Sequence, residues 1–248
     1  MKLTIVGCGD AFGTGGRSHS CYRLDAGGRT VLADFGASAI VGWRRLGLDL
    51  SEIDAVVLSH LHGDHFGGLP FLLLDRQFSR AGHGRTLLIA GPPGTQGRLD
   101  ALLEAMFPGG STLPWKFQWT VAEIPPGGEM DVVGFSVATM EVVHPSGAPS
   151  TGLRIAREGK LFAFSGDTEW TDALIALAKD ADLFLTECHS GATKVSSHID
   201  WPTLQDKLPL LDAKRIMVTH LGPTALARRA EIEAAGLLVA DDGLVLEL

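Results

Sequence analysis

Ser59-His60-Leu61-His62-Gly63-Asp64-His65 places three imidazoles and a carboxylate within six residues. Imidazole nitrogen and carboxylate oxygen are donors that divalent transition metals take together. A lone histidine is more often a hydrogen-bonded structural residue, but a polar turn does not account for four donors this close. The preceding run, Ala55-Val56-Val57-Leu58, is apolar and β-branched, so the cluster leaves a strand. In extended chain, residues i and i+2 point the same way, which lets His60 and His62 reach one ion. Gly63 and Gly67-Gly68 permit a tight turn, after which Asp64 and His65 face a second ion. The spacing is not that of HExxH, in which two histidines share a helix face. Two adjacent ions imply hydrolysis more than they imply structure.

Outward from this loop, short β-branched runs alternate with longer amphipathic ones. The pattern predicts strands over residues 3–6, 21–25, 30–33, 55–58, 87–90, 135–143, 152–156, 161–165, 183–186, 215–218 and 244–247. It predicts helices over 38–46, 69–79, 96–106, 171–178, 201–208 and 224–235. Asp25-Ala26-Gly27-Gly28-Arg29 reads as a hairpin turn, and Gly91-Pro92-Pro93-Gly94 as a turn before a helix. Strands arrive in runs as well as in alternation with helices. The expected class is therefore α/β with mixed sheets and helices packed outside. No disordered linker or short repeat appears, so one domain over residues 1–248 is expected, with Gly82–Gly84 and residues 107–114 as internal loops.

Several apolar strands run into ligand-type residues. Asp34 follows TVLA, His60 follows AVVLS, Asp167 follows LFAFSG, Glu187 follows LFLT and His220 follows RIMVT. Sites in open α/β sheets form outside strand carboxyl ends, so these side chains are expected at one rim. A two-ion centre needs a bridging carboxylate and a further histidine for each ion. His144 in VVHPSG, Asp167 and His220 are the candidates. Each has a structural alternative when taken singly. Asp167 suits a helix N-cap, and His144 before Pro145 suits a strand end.

Composition narrows the classes. Nearly half of the 248 residues are apolar (45%) and 20% are charged, an ordinary globular balance. A chain of this length buries about 70–75% of its unfolded surface, enough for a core without disulfides. The three cysteines, Cys8, Cys21 and Cys188, form no CxxC, which argues for a reducing compartment and against a cysteine zinc site. The opening MKLTIVGCGD reads as a first strand rather than a signal peptide. No apolar run is long enough to span a membrane, so a cytoplasmic location is expected. The net charge of −8 weighs against broad binding to phosphate backbones. It does not weigh against a phosphate substrate, because bound cations reverse the local field.

SHLHGDHFGGLP resembles the HxHxDH signature of the metallo-β-lactamase superfamily. The order that follows, HP at His144, GDT at Asp167 and THLG at His220, matches that superfamily's remaining metal motifs. Asp34 in VLADFG matches its acidic residue after an early strand. The resemblance spans essentially the whole chain. It implies the four-layer αβ/βα sandwich, two mixed sheets face to face with helices outside. It also implies two divalent ions, Zn2+ foremost, with Mn2+ and Fe2+ as alternatives. One ion would be held by His60, His62, His144 and Asp167, the other by Asp64, His65, Asp167 and His220.

Within the superfamily the chain looks most like the ribonuclease Z and small-phosphodiesterase branch. The glycine-rich opening GDAFGTGGRSHSCY, the continuation HGDHFGGLP and a further histidine, His198, carry that likeness. The implied reaction is phosphodiester hydrolysis by a metal-bridging hydroxide. His198 is the candidate general acid for the departing alkoxide, and Asp64 a candidate to orient the nucleophile. Ribonuclease Z enzymes carry a basic, glycine-rich arm that grips transfer RNA. No such insertion lies between Asp167 and His198, and the family's HEATF-like segment reads Thr186-Glu187-Cys188-His189-Ser190 here. A small phosphodiester, such as a cyclic nucleotide or cyclic phosphate, therefore ranks above transfer RNA. A lactonase or thioesterase on the same fold is the rival enzyme class. A metal- or nucleic-acid-binding module is the non-enzymatic rival, weakened by the filled ligand positions and the lack of a basic stripe. A homodimer is expected from the resemblance alone. Arg17 and His19 are candidates to touch substrate phosphate, and His83 reads as a surface residue. His189 lies near the site region without an assigned role. Trp115, Phe117 and Trp119 read as a half-buried strand or dimer face.

Overall fold

The computed structural model describes residues 1–79 and 84–248. His83 and most of the Gly82–Gly84 segment lie outside the described residues.

Period-two burial generates the architecture. In β3 (Arg29–Ala33), Val31 and Ala33 face one way and Leu32 the other. In β4 (Ala55–Val57), Ala55 and Val57 oppose Val56 in the same manner. β10 (Lys160–Phe164), β11 (Leu183–Glu187) and β12 (Ile216–Thr219) repeat it, with Phe162, Phe164, Leu183, Leu185 and Met217 against Ala163, Phe184 and Val218. One set forms a core between two sheets. The other two sets pack beneath helices. Strands covered on both faces become near-continuous apolar runs, which is how they read in sequence.

The first sheet adds β1 (Lys2–Gly7), β2 (Cys21–Ala26), β5 (Leu87–Gly91), β6 (Trp119–Glu123) and β14 (Val245–Glu247), in the order β14-β1-β2-β3-β4-β5-β6. The second adds β7 (Glu129–Val132), β8 (Phe135–Glu141), β9 (Thr151–Arg157) and β13 (Leu238–Val239), in the order β13-β12-β11-β10-β9-β8-β7. Each begins with antiparallel pairs and continues with parallel ones. Among the helices, α1 (Ala39–Arg45), α3 (Leu69–Phe78) and α4 (Thr95–Met106) cover the first sheet through Trp43, Leu72 and Leu99. On the second, α5 (Ala173–Ala178) and α6 (Trp201–Lys207) do so through Leu174, Leu177, Trp201 and Leu204. The result is the expected four-layer α/β sandwich. No helix among the described residues is long and apolar enough to cross a membrane.

Differences from the sequence expectation have local causes. β6 and β7 are unpredicted edge strands, and Glu123, Glu129 and Asp131 give them the polar character that edges require. Trp119 lies on β6, whereas Trp115 and Phe117 precede it and pack edge-on against each other. Predicted strand 135–143 ends at Glu141, because the Val143 amide turns to the Thr168 hydroxyl at 3.0 Å. Predicted helix 224–235 is two short helices, α7 (Pro223–Leu226) and α8 (Arg229–Ala234), with Arg228 outside the helical region at φ −97, ψ 11. Ala225 and Ile232, one from each helix, pack into the outer core. Residues Gly63–Phe66, read as a turn, form the single helical turn α2. Asp167 caps no helix, since α5 starts at Ala173.

Candidate metal centre

Parallel strands deliver their carboxyl ends to one rim. Asp34 follows β3, Ser59 and His60 follow β4, Asp167 follows β10, Glu187 ends β11 and His220 follows β12. β8 contributes His144 three residues beyond its end. α2 supplies Asp64 and His65 from one turn. Gly36 allows that turn to lie close, for a Cβ there would sit 2.0 Å from the Asp64 carbonyl oxygen.

The seven residues form two neighbouring groups. His60, His62 and His144 make one; Asp64, His65, Asp167 and His220 make the other. Asp167 lies between them. Its Oδ1 is 3.3 Å from His65 Nε2, and its Oδ2 is 3.3 Å from His220 Nε2 and 3.9 Å from both His60 Nε2 and His144 Nε2. Asp64 Oδ2 accepts from His220 Nε2 at 3.2 Å.

The far ring nitrogens are already engaged. His65 Nδ1 bonds Asp34 Oδ2 at 2.7 Å, His60 Nδ1 meets Ser59 Oγ at 3.0 Å, and His144 Nδ1 donates to the Ser197 carbonyl at 2.9 Å. Asp34 also accepts the Ser59 amide and hydroxyl at 2.7 and 2.8 Å. Such partners fix tautomer and ring orientation for metal ligation. They leave His60 Nε2, His65 Nε2 and Asp167 Oδ1 buried without hydrogen-bond partners among the described residues. Buried polar atoms are rarely left so, and three converge here. A divalent cation satisfies such atoms, so the donor set fits the metal that the sequence reading implied.

Electrostatics agree with that fit. Burial lowers His60, His62 and His144, which favours their neutral form, and His62 Nδ1 meets His144 Nε2 at 3.0 Å. Burial opposes charge on His65 and His220 too, but the carboxylates of Asp167 and Asp64 prevail. They raise His65 well above its ordinary value and push His220 up to about 9. Burial likewise works against ionised Asp64 and Asp167, yet those imidazoles hold both carboxyls well below the carboxylate range. Metal binding therefore exchanges protons for cation charge. Backbone strain collects here as well: Asp34, Ser197 and His220 adopt positive φ of 61, 68 and 58.

His198 lies beside this cluster. Its Nδ1 bonds Glu187 Oε1 at 3.0 Å, and Glu187 is fully buried. Burial disfavours a charged imidazole, but the carboxylate raises His198 above its ordinary value. Glu187 stood at a strand end in the sequence pattern, but its pairing with His198 was not foreseen. His189 lies tilted against His198, with ring centroids 4.8 Å apart. Arg17 and His19 are otherwise engaged: Arg17 pairs with Asp241 at 2.9 Å, and His19 Nδ1 accepts the Ser38 amide. Neither lines the cavity, of about 420 Å³, that holds His62, Asp64, His144, Asp167, His189, His198 and His220. Its size suits a small ligand.

Asp34→Asn tests the outer bonds. Asparagine tolerates the left-handed backbone and keeps the shape, so the change isolates the charge behind His65. Metal affinity, measured by competition with a chromophoric chelator, is expected to fall about 10–100-fold. Unchanged affinity would show that Asp34 serves the fold alone.

Comparison with known proteins gives concordant matches. The family model described as Anti-Pycsar protein Apyc1 matches residues 1–242. The probable metallo-hydrolase YhfI of Bacillus subtilis is 28% identical over 194 residues, covering 76% of this chain and 72% of that protein. A ribonuclease Z of Mycobacterium sp. (strain KMS) is 25% identical over 249 residues, covering 96% and 82%. The YhfI crystal structure, a metallo-β-lactamase fold protein, superposes with a TM-score of 0.79 at 22% identity over 99% of each chain. A diphosphatase of the PhnP family gives 0.79 at 20% identity, over 100% of this chain and 97% of that one. The fold is thus the metallo-β-lactamase sandwich.

Proposed function

The chain belongs to the Anti-Pycsar protein Apyc1 family, and from that premise we propose that it hydrolyses a small phosphodiester, a cyclic nucleotide or cyclic phosphate. At the coarser level it is a metal-dependent hydrolase of metallo-β-lactamase fold, related to ribonuclease Z. One observation carries the finer reading: Asp167 stands between a three-histidine group and a second His/Asp group, and residues of both line a small cavity with the Glu187-bonded His198.

In this reading His60, His62, His144 and Asp167 would hold one ion, and Asp64, His65, Asp167 and His220 the other. Zinc suits the imidazole-rich donor set. Bound divalent cations supply Lewis acidity and offset the negative charge of the ester. The chain's own groups do the rest. Asp34, Ser59 and the Ser197 carbonyl orient three of the imidazoles. Asp64 stands beside His220 to orient the attacking oxygen. Hydrolysis forms one P–O bond from water and breaks another, and the departing alkoxide must collect a proton. With Nδ1 held by Glu187, Nε2 is the His198 nitrogen left to deliver it.

Similarity to a ribonuclease Z over 96% of the chain favours transfer RNA processing as a second reading. The net charge of −8 weighs against it. The metal-reconstituted protein should be assayed in parallel on bis-p-nitrophenyl phosphate, cyclic nucleotides, precursor transfer RNA and acyl lactones. Turnover of the small phosphodiesters is expected. Activity confined to lactones would overturn the proposal, and activity confined to precursor transfer RNA would install the second reading.

A further inference from the structure

Phe12 is 88% exposed, more than any other large apolar side chain among the described residues. A single exposed apolar side chain is ordinary, but the setting of this one is not. Its turn is built on Asp10, which is fully buried. Asp10 Oδ1 accepts the amides of Phe12 at 3.3 Å and Thr14 at 2.8 Å, and Oδ2 accepts the Thr14 hydroxyl at 2.7 Å. Gly13, at φ 65, closes the turn by donating to the Asp10 carbonyl at 3.1 Å. At the loop base, the Gly9 amide donates to the Ser18 carbonyl at 2.7 Å. Water-exposed phenyl contributes little to folding, yet the loop that carries it is held firmly in place.

Phe12 lines the cavity that also holds His62, Asp64, Asp167 and His198. Ala11 and Val195 also line it and add apolar surface. The lining therefore grades from buried ionisable donors to an exposed aromatic face. A complementary ligand has an anionic group at one end and a flat, weakly polar group at the other. Aromatic side chains meet such groups by stacking, which is tolerant of base identity because every base has a π-face.

We propose that Phe12 is the specificity-determining residue of this site, an aromatic platform on which the nucleobase of a nucleotide phosphodiester stacks. The inference rests on the phosphodiester reading above. It gives this loop a task that neither the metal cluster nor His198 performs: selecting nucleotide esters over phosphodiesters that lack a base.

The test compares wild type with Phe12→Ala, Phe12→Leu, Phe12→Trp and, as a control outside the cavity, Phe78→Ala. The readout is the ratio of kcat/KM for a cyclic nucleotide to that for a cyclic ribose phosphate without a base. Alanine and leucine are expected to lower the ratio about 10–100-fold through KM. Tryptophan is expected to keep it, because it restores the π-face, and Phe78→Ala to leave it unchanged. Equilibrium binding of adenosine 5′-monophosphate and ribose 5-phosphate, by calorimetry on the metal-loaded protein, supplies a second readout. A ratio unmoved by alanine, or leucine equal to phenylalanine, overturns stacking. Turnover of lactones alone would overturn the phosphodiester reading instead. The two binding constants would still decide whether Phe12 discriminates for a base.

Discussion

Asp167→Ala is expected to strip metal from the protein and abolish turnover, the largest single effect in the molecule. Its carboxylate approaches ring nitrogens of both groups, at 3.3 Å from His65 and His220 and 3.9 Å from His60 and His144. Removing one partner from a buried charged cluster costs about 3–5 kcal/mol. At about 1.4 kcal/mol per decade that lowers the folded-to-unfolded ratio of the metal-free protein roughly 10²–10⁴-fold. Elemental analysis of the dialysed variant should show less than half of the wild-type metal. Added metal should raise its melting temperature less than it raises that of wild type, since ligand stabilisation scales with affinity. Full occupancy in the variant would overturn the bridging role. Asp167→Asn separates charge from shape: it retains an oxygen donor, so its metal loss should be smaller than that of alanine.

His198→Ala is expected to lower kcat about 10²–10⁴-fold while metal content stays at the wild-type level. The effect should shrink for bis-p-nitrophenyl phosphate, whose leaving group departs without needing a proton, and stay large for alkyl esters. That contrast separates proton delivery from a packing role. Ring nitrogens and carboxylate oxygens of His144, Asp167 and His198 lie within 4.8 Å of one another, so a ligand role for His198 is the structural competitor. Loss of metal in His198→Ala would install it. Glu187→Gln should follow in the same direction with a smaller loss, since the imidazole keeps its place but loses the buried carboxylate behind Nδ1.

Much of the site could be read in the chain because its residues sit at or just after strand ends, and strand ends are visible as the close of an apolar run. Asp34, His60, Asp167, Glu187 and His220 all fall there. His144 was legible for a related reason, although its strand ends sooner than the pattern indicates. Edge strands β6 and β7 were not legible, since the polar residues that protect an edge also erase the strand signal. The helical turn at Gly63–Phe66 was hidden by its glycine and its length of four residues.

By itself the sequence determined the chemical type of the site and the layering of the fold. Residue identity is local, and period-two burial on both faces is recorded directly in the order of apolar residues. Only the tertiary structure decided that Glu187 backs His198 and Asp34 backs His65, and that Phe12 stands in the cavity wall. Those contacts join positions 11 and 31 residues apart, or separate loops. They depend on sheet order and register, which no local pattern of residues encodes.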